Sequence, residues 1–425
     1  MMDYVTPEAS RNAATGKSNA VDRWLLAQLH QFVGEPRLSL ELWDGYSIGE
    51  QHQATAVKFL DRSALQRLFF KPTYTFGNLY AQGRIVVRGP LIATLETIYK
   101  GLEKRTHDLG KTAQWLRNRL AFRPRPNSVQ RARDNIQTHY DLGEDFYQLW
   151  LDRYYMQYTC GYFPDPDYSL EQAQIAKLEY ICRKLALKPG ETVVEAGSGW
   201  GGLSRYMARY HGVKVRAYNI SPSQIEYARR QAQIENLADA IEYVEDDCRN
   251  IRGSYDVFVS VGMLEHLGPD NYPALGQAID QCLKEDGRGF VHTIGQMSPR
   301  RINEWIERRV FPGAQPPSLA QMMAIFEPLD LVVADVENLR AHYAQTLEHW
   351  LARFAANEEQ VTRMFDTEFV RAWQLYLAGS AAAFTTGGLQ LYQVLFRRKS
   401  CTKLPITRDH LYRPGLLHAL PDQTS

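Results

Sequence analysis

The run Glu195-Ala-Gly197-Ser-Gly199-Trp-Gly201 constrains this chain more than any other segment of it. It follows the apolar stretch ETVVEAG and opens LSRYMARYHG, whose apolar residues recur at helical spacing. Glycines at alternate positions let a strand turn sharply into a helix. They also let another group approach the backbone where a Cβ would clash. The surroundings repeat the pattern. A helix over 169–187 leads in, and VKVRAYNI, a helix from Pro222, AIEYVED, YDVFVSVG and RGFVHTIG follow in order. Near-continuous apolar strands alternating with helices predict a doubly wound α/β sheet, mostly parallel and covered on both faces. After Pro316 the chain reads as mostly helical through about 384, and LQLYQVLFRR closes it as a strand.

A length of 425 residues leaves room for two domains. Residues 1–20 read as a flexible tail, 21–122 as a small α+β domain, 123–133 as a linker, 134–400 as the main domain and 401–425 as a second tail. In the small domain, VDRWLLAQLHQFV places Trp24, Leu25, Leu29 and Phe32 at helical spacing. Leu38, Leu40 and Leu42 alternate with Ser39 and Glu41, as in a half-buried strand. Between 101 and 134, nine Lys or Arg stand against three acidic residues, interleaved with Leu109, Trp115, Leu116, Leu120 and Phe122. That segment reads either as a contact for an anionic membrane surface or as a solvated linker. The formal net charge of +1 gives no global field to recruit nucleic acid, and no nucleic-acid partner is expected. Five cysteines without a CxxC argue against a disulfide framework or a metal site and fit a reducing cytoplasm. The polar N-terminus has no apolar signal core, and no apolar run nears the roughly 20 residues that span a bilayer. The expected location is cytoplasmic, with at most a peripheral membrane contact.

A G-x-G-x-G turn with an acidic residue two before its first glycine resembles the first-strand signature of class I methyltransferases. The resemblance implies S-adenosylmethionine as cofactor, its amino-acid part lying over the glycines. The second strand ends Arg216-Ala-Tyr218-Asn219, with no carboxylate for the ribose hydroxyls. Asn219 and Gln224 would share that work as neutral hydrogen-bonding groups.

Further segments occur in a fixed order: THYDLGEDFYQLWLD (138–152), YTCGYF (158–163), EAGSGWGG (195–202), SVGMLEHLG (260–268), VHTIG (291–295), VFPGA (310–314), HYAQTLEHW (342–350) and LQLYQVLF (389–396). In them the chain resembles the cyclopropane fatty acid synthases, strongly over roughly 130–398 and weakly over roughly 35–100. The resemblance implies a seven-stranded class I methyltransferase (Rossmann-like) sheet with helical insertions, preceded by an N-terminal α+β domain that docks on lipid. It implies methylene transfer to the cis double bond of a phospholipid's unsaturated acyl chain, by a peripheral enzyme that forms a homodimer. An alkene has no acidic proton to remove beforehand, so its attack on the cofactor leaves a carbocation. In the family a bound bicarbonate is understood to deprotonate it. Carried over, the bicarbonate cage is Cys160, Glu265, His292 and Tyr343 with the backbone of Ile294. The cofactor contacts are Tyr158, Thr159, Glu195, Gly197, Gly199, Gly201, Asn219, Gln224, Asp247, Cys248 and Arg249.

Taken singly, these residues have plainer readings. Cys160 reads as a small buried hydrophobe, His292 as a satisfied core histidine and Tyr343 as packing. Tyr140, Phe146, Tyr162 and Phe311 read equally as acyl-channel walls or as core. Where the family carries GCGWG, this chain has Gly197-Ser198-Gly199, and Asn219-Ile220-Ser221-Pro222 replaces a threonine followed by Leu-Ser. The product therefore stays open between a ring and a methyl or methylene branch. N-methylation of a small amine and a lipid- or cofactor-binding protein without turnover are the other readings.

Overall fold

The computed structural model describes residues 16–34, 37–49, 55–108 and 142–412. The chain forms two compact units that are not collinear with the sequence. One takes residues up to 122 together with 300–310 and 347–388; the other takes 123–299, 311–346 and 389–425. Most of the expected linker and basic segment, 109–134, lies outside the described residues, as does Tyr140.

In the first unit, helix α1 (Ala20–Phe32) starts at a capping box in which Asn19 and Asp22 each accept from the other's backbone N–H at 2.9 Å. Leu25, Leu26 and Leu29 form its buried stripe, whereas Trp24 and Phe32, expected on that face, are 55% and 38% exposed. Residues 16–20, the end of the expected tail, belong to the fold: the Ser18 N–H donates to Asp44 at 2.6 Å. Strands β1 (Ser39–Glu41), β2 (Ser47–Ile48), β3 (Ala56–Phe59) and β4 (Ile85–Arg88) form a sheet of order β2-β1-β3-β4, with only β1 and β3 parallel. Leu38, Leu40 and Leu42 all point into its core. Helices α2 (Arg62–Phe70), α3 (Pro72–Ala81) and α4 (Leu91–Asp108) complete the α+β core, and the helix Thr367–Thr385 packs on α3 and α4.

The second unit is built on a seven-stranded sheet. Helix α5 (Leu170–Lys184) precedes strand β5 (Thr192–Ala196), and α6 (Gly202–His211), β6 (Lys214–Asn219), α7 (Pro222–Ile234) and β7 (Ile241–Glu245) follow. The chain then returns through β8 (Tyr255–Val261), α8 (Leu264–Leu267), α9 (Tyr272–Cys282) and β9 (Leu283–Gly295). Strand β10 (Leu331–Asn338), the start of helix α10 (Arg340–Ala356) up to Thr346, and strand β11 (Gln390–Arg398) close it. The order is β10-β11-β9-β8-β5-β6-β7, with β11 antiparallel to both neighbours and the other pairs parallel. This is the class I methyltransferase fold. The strand order reverses between β5 and β8, so the crevice at their carboxyl ends is where a ligand belongs.

Strand β10 falls in the stretch expected to be mostly helical. LVVADVEN is a short apolar run with charges, which periodicity alone does not assign. Its pairing with β11 makes it an edge strand. The expected C-terminal tail is also partly structured, since Cys401 and Leu411 are buried and Lys403 pairs with Asp286 at 2.9 Å.

Phe290 on β9 is fully buried between the central strands and α5. Replacing it with Ala is expected to cost about 3–5 kcal/mol, read as a lower urea midpoint. A loss below about 1 kcal/mol would contradict this packing.

Candidate active site

The glycine turn hangs on β6. The N–H groups of Gly197 and Ser198 donate to the Tyr218 carbonyl at 2.9 and 3.1 Å, and Gly201 opens α6 in the left-handed region at φ 76°. A Cβ on Gly201 would lie 2.6 Å from the Ala228 Cβ and the Tyr243 hydroxyl, and one on Gly197 would lie 2.8 Å from Met263. Gly199 differs: its φ is 52° and a Cβ there meets nothing within 4 Å. Glu195 sits below the turn, with its carboxylate accepting from the Ser204 hydroxyl of α6. Burial raises its pKa to about 7.

At the end of β6, Asn219 is saturated. Its amide donates to the Gly199 carbonyl (3.1 Å) and to Gln224 Oε1 (2.9 Å), and its oxygen accepts from the Ile220 and Ser221 N–H groups. Asn219 therefore braces the turn, and Gln224 keeps an NH2 to offer. Asp247 grips Arg249 through Oδ1 (2.7 Å) and Oδ2 (2.9 Å), which together with the Arg249 N–H holds its carboxyl below the usual range. Cys248 is buried beside it, its sulfur 3.8 Å from Met263. Tyr158 packs edge-on against Trp150 at 5.1 Å.

The other sequence-derived residues gather at the carboxyl ends of β8 and β9. Glu265 enters from α8, just past β8, and accepts from the Ile294 N–H. The expected backbone donor of Ile294 is thus committed to Glu265. His292 lies two residues earlier on the same face of β9. Cys160 Sγ is 3.1 Å from the Gly161 carbonyl and 3.9 Å from that of Leu339, which also accepts from the Tyr343 N–H. Leu339 in turn donates to Leu391, the cross-strand partner of Ile294. Cys160, Tyr343, Ile294 and Glu265 are thereby tied through one short stretch of backbone.

The electrostatics are those of a buried, poorly solvated setting. Burial pushes the Cys160 thiol well above its ordinary range, drives His292 to stay neutral, and raises Glu265 to about 7. Glu265 Oε2 and His292 Nε2 are buried without a hydrogen-bond partner, as are Ser198 Oγ and Trp200 Nε1 beside the glycine turn. Native proteins leave few such atoms, because each costs about 1–3 kcal/mol. Two of these four lie in the glycine turn and two at the carboxyl ends of β8 and β9, with further such atoms elsewhere among the described residues.

Sequence reading missed Lys177 on α5. Its fully buried ammonium donates to Gln157 Oε1 and, at 3.0 Å, to Thr159 Oγ1. Burial lowers its pKa to about 8 while Asp152, Cys160 and Glu195 pull it upward. The only signal was a lysine on the buried face of an apolar helix. Gln393 and Lys184, behind His292, were also missed. Phe146 packs against Tyr147 and Trp150 within the core, and Tyr162 stacks on Tyr180 at 4.2 Å. Phe311 stands 6.0 Å from His266. Among the described residues no group of acidic, His or Cys side chains is arranged to hold a metal, and no helix is long and apolar enough to cross a membrane.

Residues 127–394 match the protein family described as mycolic acid cyclopropane synthetase. A probable fatty acid methyltransferase of Pseudomonas putida is 32% identical over 401 residues, covering 88% of this chain and 96% of that protein. The cyclopropane-fatty-acyl-phospholipid synthase of Escherichia coli K12 is 39% identical over 261 residues, 61% of this chain and 66% of that one. Among solved structures, the cyclopropane synthase MmaA2 of Mycobacterium tuberculosis superposes with a TM-score of 0.60 at 26% identity, over 63% of this chain and 98% of its own. The mycolic acid cyclopropane synthase CmaA1, solved with SAH and CTAB, gives the same TM-score of 0.60 at 28% identity, over 63% of this chain and 98% of its own.

Glu195 and Glu265 each sit at about 7, above the ordinary 4.5. The folded chain then holds more protons than the unfolded chain between those values, so stability is full below the lower one and falls as pH rises through 7. Lys177 acts in the opposite sense only above about 8. Buried His266, His292 and His342, all lowered from the ordinary 6.5, act in the opposite sense below that value, so the Tm of the protein without ligands is expected to fall between about pH 6.5 and 8, and Glu265→Gln to flatten that fall. Equal slopes in the two proteins would contradict the raised pKa of the buried Glu265 carboxyl.

Proposed function

This chain belongs to the mycolic acid cyclopropane synthetase family and is an S-adenosylmethionine-dependent methyltransferase, and from that premise we propose its reaction. It alkylates the cis carbon–carbon double bond of an unsaturated fatty acyl chain of a phospholipid and closes a cyclopropane ring. The observation that carries the reading is that Glu265 Oε2 and His292 Nε2, both buried, have no hydrogen-bond partner. That pair suits a small oxyacid, bicarbonate, which has both a hydroxyl to donate and oxygens to accept.

Bound S-adenosylmethionine supplies an electrophilic methyl group. Gly197, Gly199 and Gly201 shape the floor under it. Ser198, Gln224 and the Tyr158–Thr159 segment offer polar contacts, and Asp247 with Arg249 bounds the far end. Glu265 accepts from the bicarbonate hydroxyl while His292 and Tyr343 hold its oxygens, so the base that takes the proton is not a side chain. The neutral Cys160 thiol adds a weak donor without a thiolate that could be alkylated. Exclusion of water keeps the cation on the acyl chain from being quenched as an alcohol.

The substrate has to come from a membrane, and the first unit carries a surface suited to one. Val21, Trp24 and Phe70 are 60%, 55% and 81% exposed. Trp24 and Phe70 meet Phe69 at ring distances of 5.9 and 5.5 Å. Phe70 borders an open groove of about 580 Å³ lined by Arg67, Lys71 and Tyr74. Exposed aromatics beside cations fit the headgroup level of an anionic phospholipid bilayer. The enzyme on this reading is cytoplasmic and peripheral to the membrane.

Purified protein incubated with S-adenosylmethionine, bicarbonate and liposomes of cis-unsaturated phospholipid is expected to lengthen the acyl chains by one CH2. Shielded ring protons should appear in proton NMR as the olefin signal disappears. The same added mass with olefinic or methylene signals would replace the ring by a branch, and no added mass would sink the reading. In co-sedimentation with anionic liposomes, Trp24→Ser and Phe70→Ser combined should weaken binding on the order of 10–100-fold. Undiminished binding by the double variant would remove this face from the membrane contact.

A further inference from the structure

Three polar side chains stand in a row across the sheet behind the reaction chamber. Gln393 of β11 pairs directly with His292 of β9, and Glu337 of β10 pairs directly with Gln393. Directly paired residues project from the same face, so the three side chains are neighbours. Lys184 of α5 lies over the row. It donates to Glu337 Oε2 and, at 2.7 Å, to Gln393 Oε1, and the Tyr180 hydroxyl donates to the same Glu337 oxygen at 3.0 Å.

This row settles a proton position. An ammonium offers only hydrogens, so the oxygen of the Gln393 amide must face Lys184 and its NH2 must face His292. The contact from Gln393 Nε2 to His292 Nδ1 is 3.1 Å. An amide NH2 can only donate, which makes Nδ1 the acceptor and leaves it without a proton. The single proton of the neutral ring then sits on Nε2, the nitrogen that has no protein partner. Burial, with Lys177 and Lys184 nearby, disfavours a second proton on the ring.

We propose that Gln393 is a positioning residue which, held by Lys184 and Glu337, fixes His292 as the Nε2–H tautomer and makes it a hydrogen-bond donor only. The proposal deepens the acyl-alkylation reading and rests on it for its catalytic meaning. An imidazole with a bare Nε2 would be the strongest neutral nucleophile in the chamber. It would compete for the sulfonium methyl and for the proton of the alkylated chain. With Nε2 protonated, that nitrogen's electron pair belongs to the ring π system and can neither attack carbon nor accept a proton. His292 can then only stabilise an oxyanion, which leaves deprotonation to the small oxyacid.

The test reads the ring nitrogens directly. In full-length protein labelled with 15N at histidine, the signal that disappears in His292→Gln belongs to His292. The wild type is expected to show a proton on Nε2 and none on Nδ1. Gln393→Glu places an acceptor opposite Nδ1 and is expected to move a proton onto it. Gln393→Met removes the amide without adding charge. Both variants should lower kcat for acyl modification on the order of 10–100-fold, with KM for S-adenosylmethionine changed by less than about twofold and Tm kept. A protonated Nδ1 in the wild type, an unmoved proton in Gln393→Glu or full kcat in Gln393→Met would each overturn the proposal. The spectrum needs no turnover, so the expected tautomer without any acyl product would overturn the functional reading alone.

Discussion

Glu265 and His292 leave a carboxyl oxygen and an imidazole nitrogen without partners inside a packed fold. Each forfeits about 1–3 kcal/mol relative to a satisfied group. Glu265 and His292 tolerate that position because the sheet around them is over-determined. Glu265 is pinned through its other oxygen by the Ile294 N–H, and its own carbonyl accepts from Gln315 at 2.7 Å. His292 is held from behind by Gln393 and lies on a strand buried on both faces. On the proposed reading, a small oxyacid that completes these two groups would recover the lost hydrogen bonds.

The cofactor crevice follows the same logic with different means. At Gly197 and Gly201 a side chain would strike Met263, Ala228 or Tyr243, whereas at Gly199 there is open space. Two glycines therefore serve packing, and the third leaves open space at the turn. The absence of a carboxylate at the end of β6 is met by a saturated Asn219, which stiffens the turn. Beneath it, Lys177 offsets the buried carboxyls of Asp152 and Glu195. The crevice thus carries both charge signs in an apolar shell, where each acts more strongly than it would in water.

The parts of this architecture that repeat locally were readable from sequence. The apolar strands, the glycine turn and the alternation of Leu38, Leu40 and Leu42 depend only on neighbouring residues and came out as expected. Strand β10 did not, since its identity comes from pairing with β11 more than fifty residues away. Trp24 fits a helical stripe in sequence and yet faces outward, because Leu26 and not Trp24 completes the buried arc of α1. The candidate cage was legible only as a set of motifs resembling a family. One by one, Cys160, His292 and Tyr343 look like core, and in the structure all three are buried. Gln393, Lys184 and Glu337 carried no signal at all, because their relation to His292 exists only in the strand register.

Ring formation is the central claim, and the fate of the transferred hydrogens tests it most directly. S-adenosylmethionine with a fully deuterated methyl group, supplied with cis-unsaturated phospholipid, marks every hydrogen that arrives with the new carbon. The account predicts a product that keeps two deuterium atoms on a ring carbon, the third having left as the proton taken by the bound base. A product that keeps all three deuterium atoms in a methyl branch would contradict it.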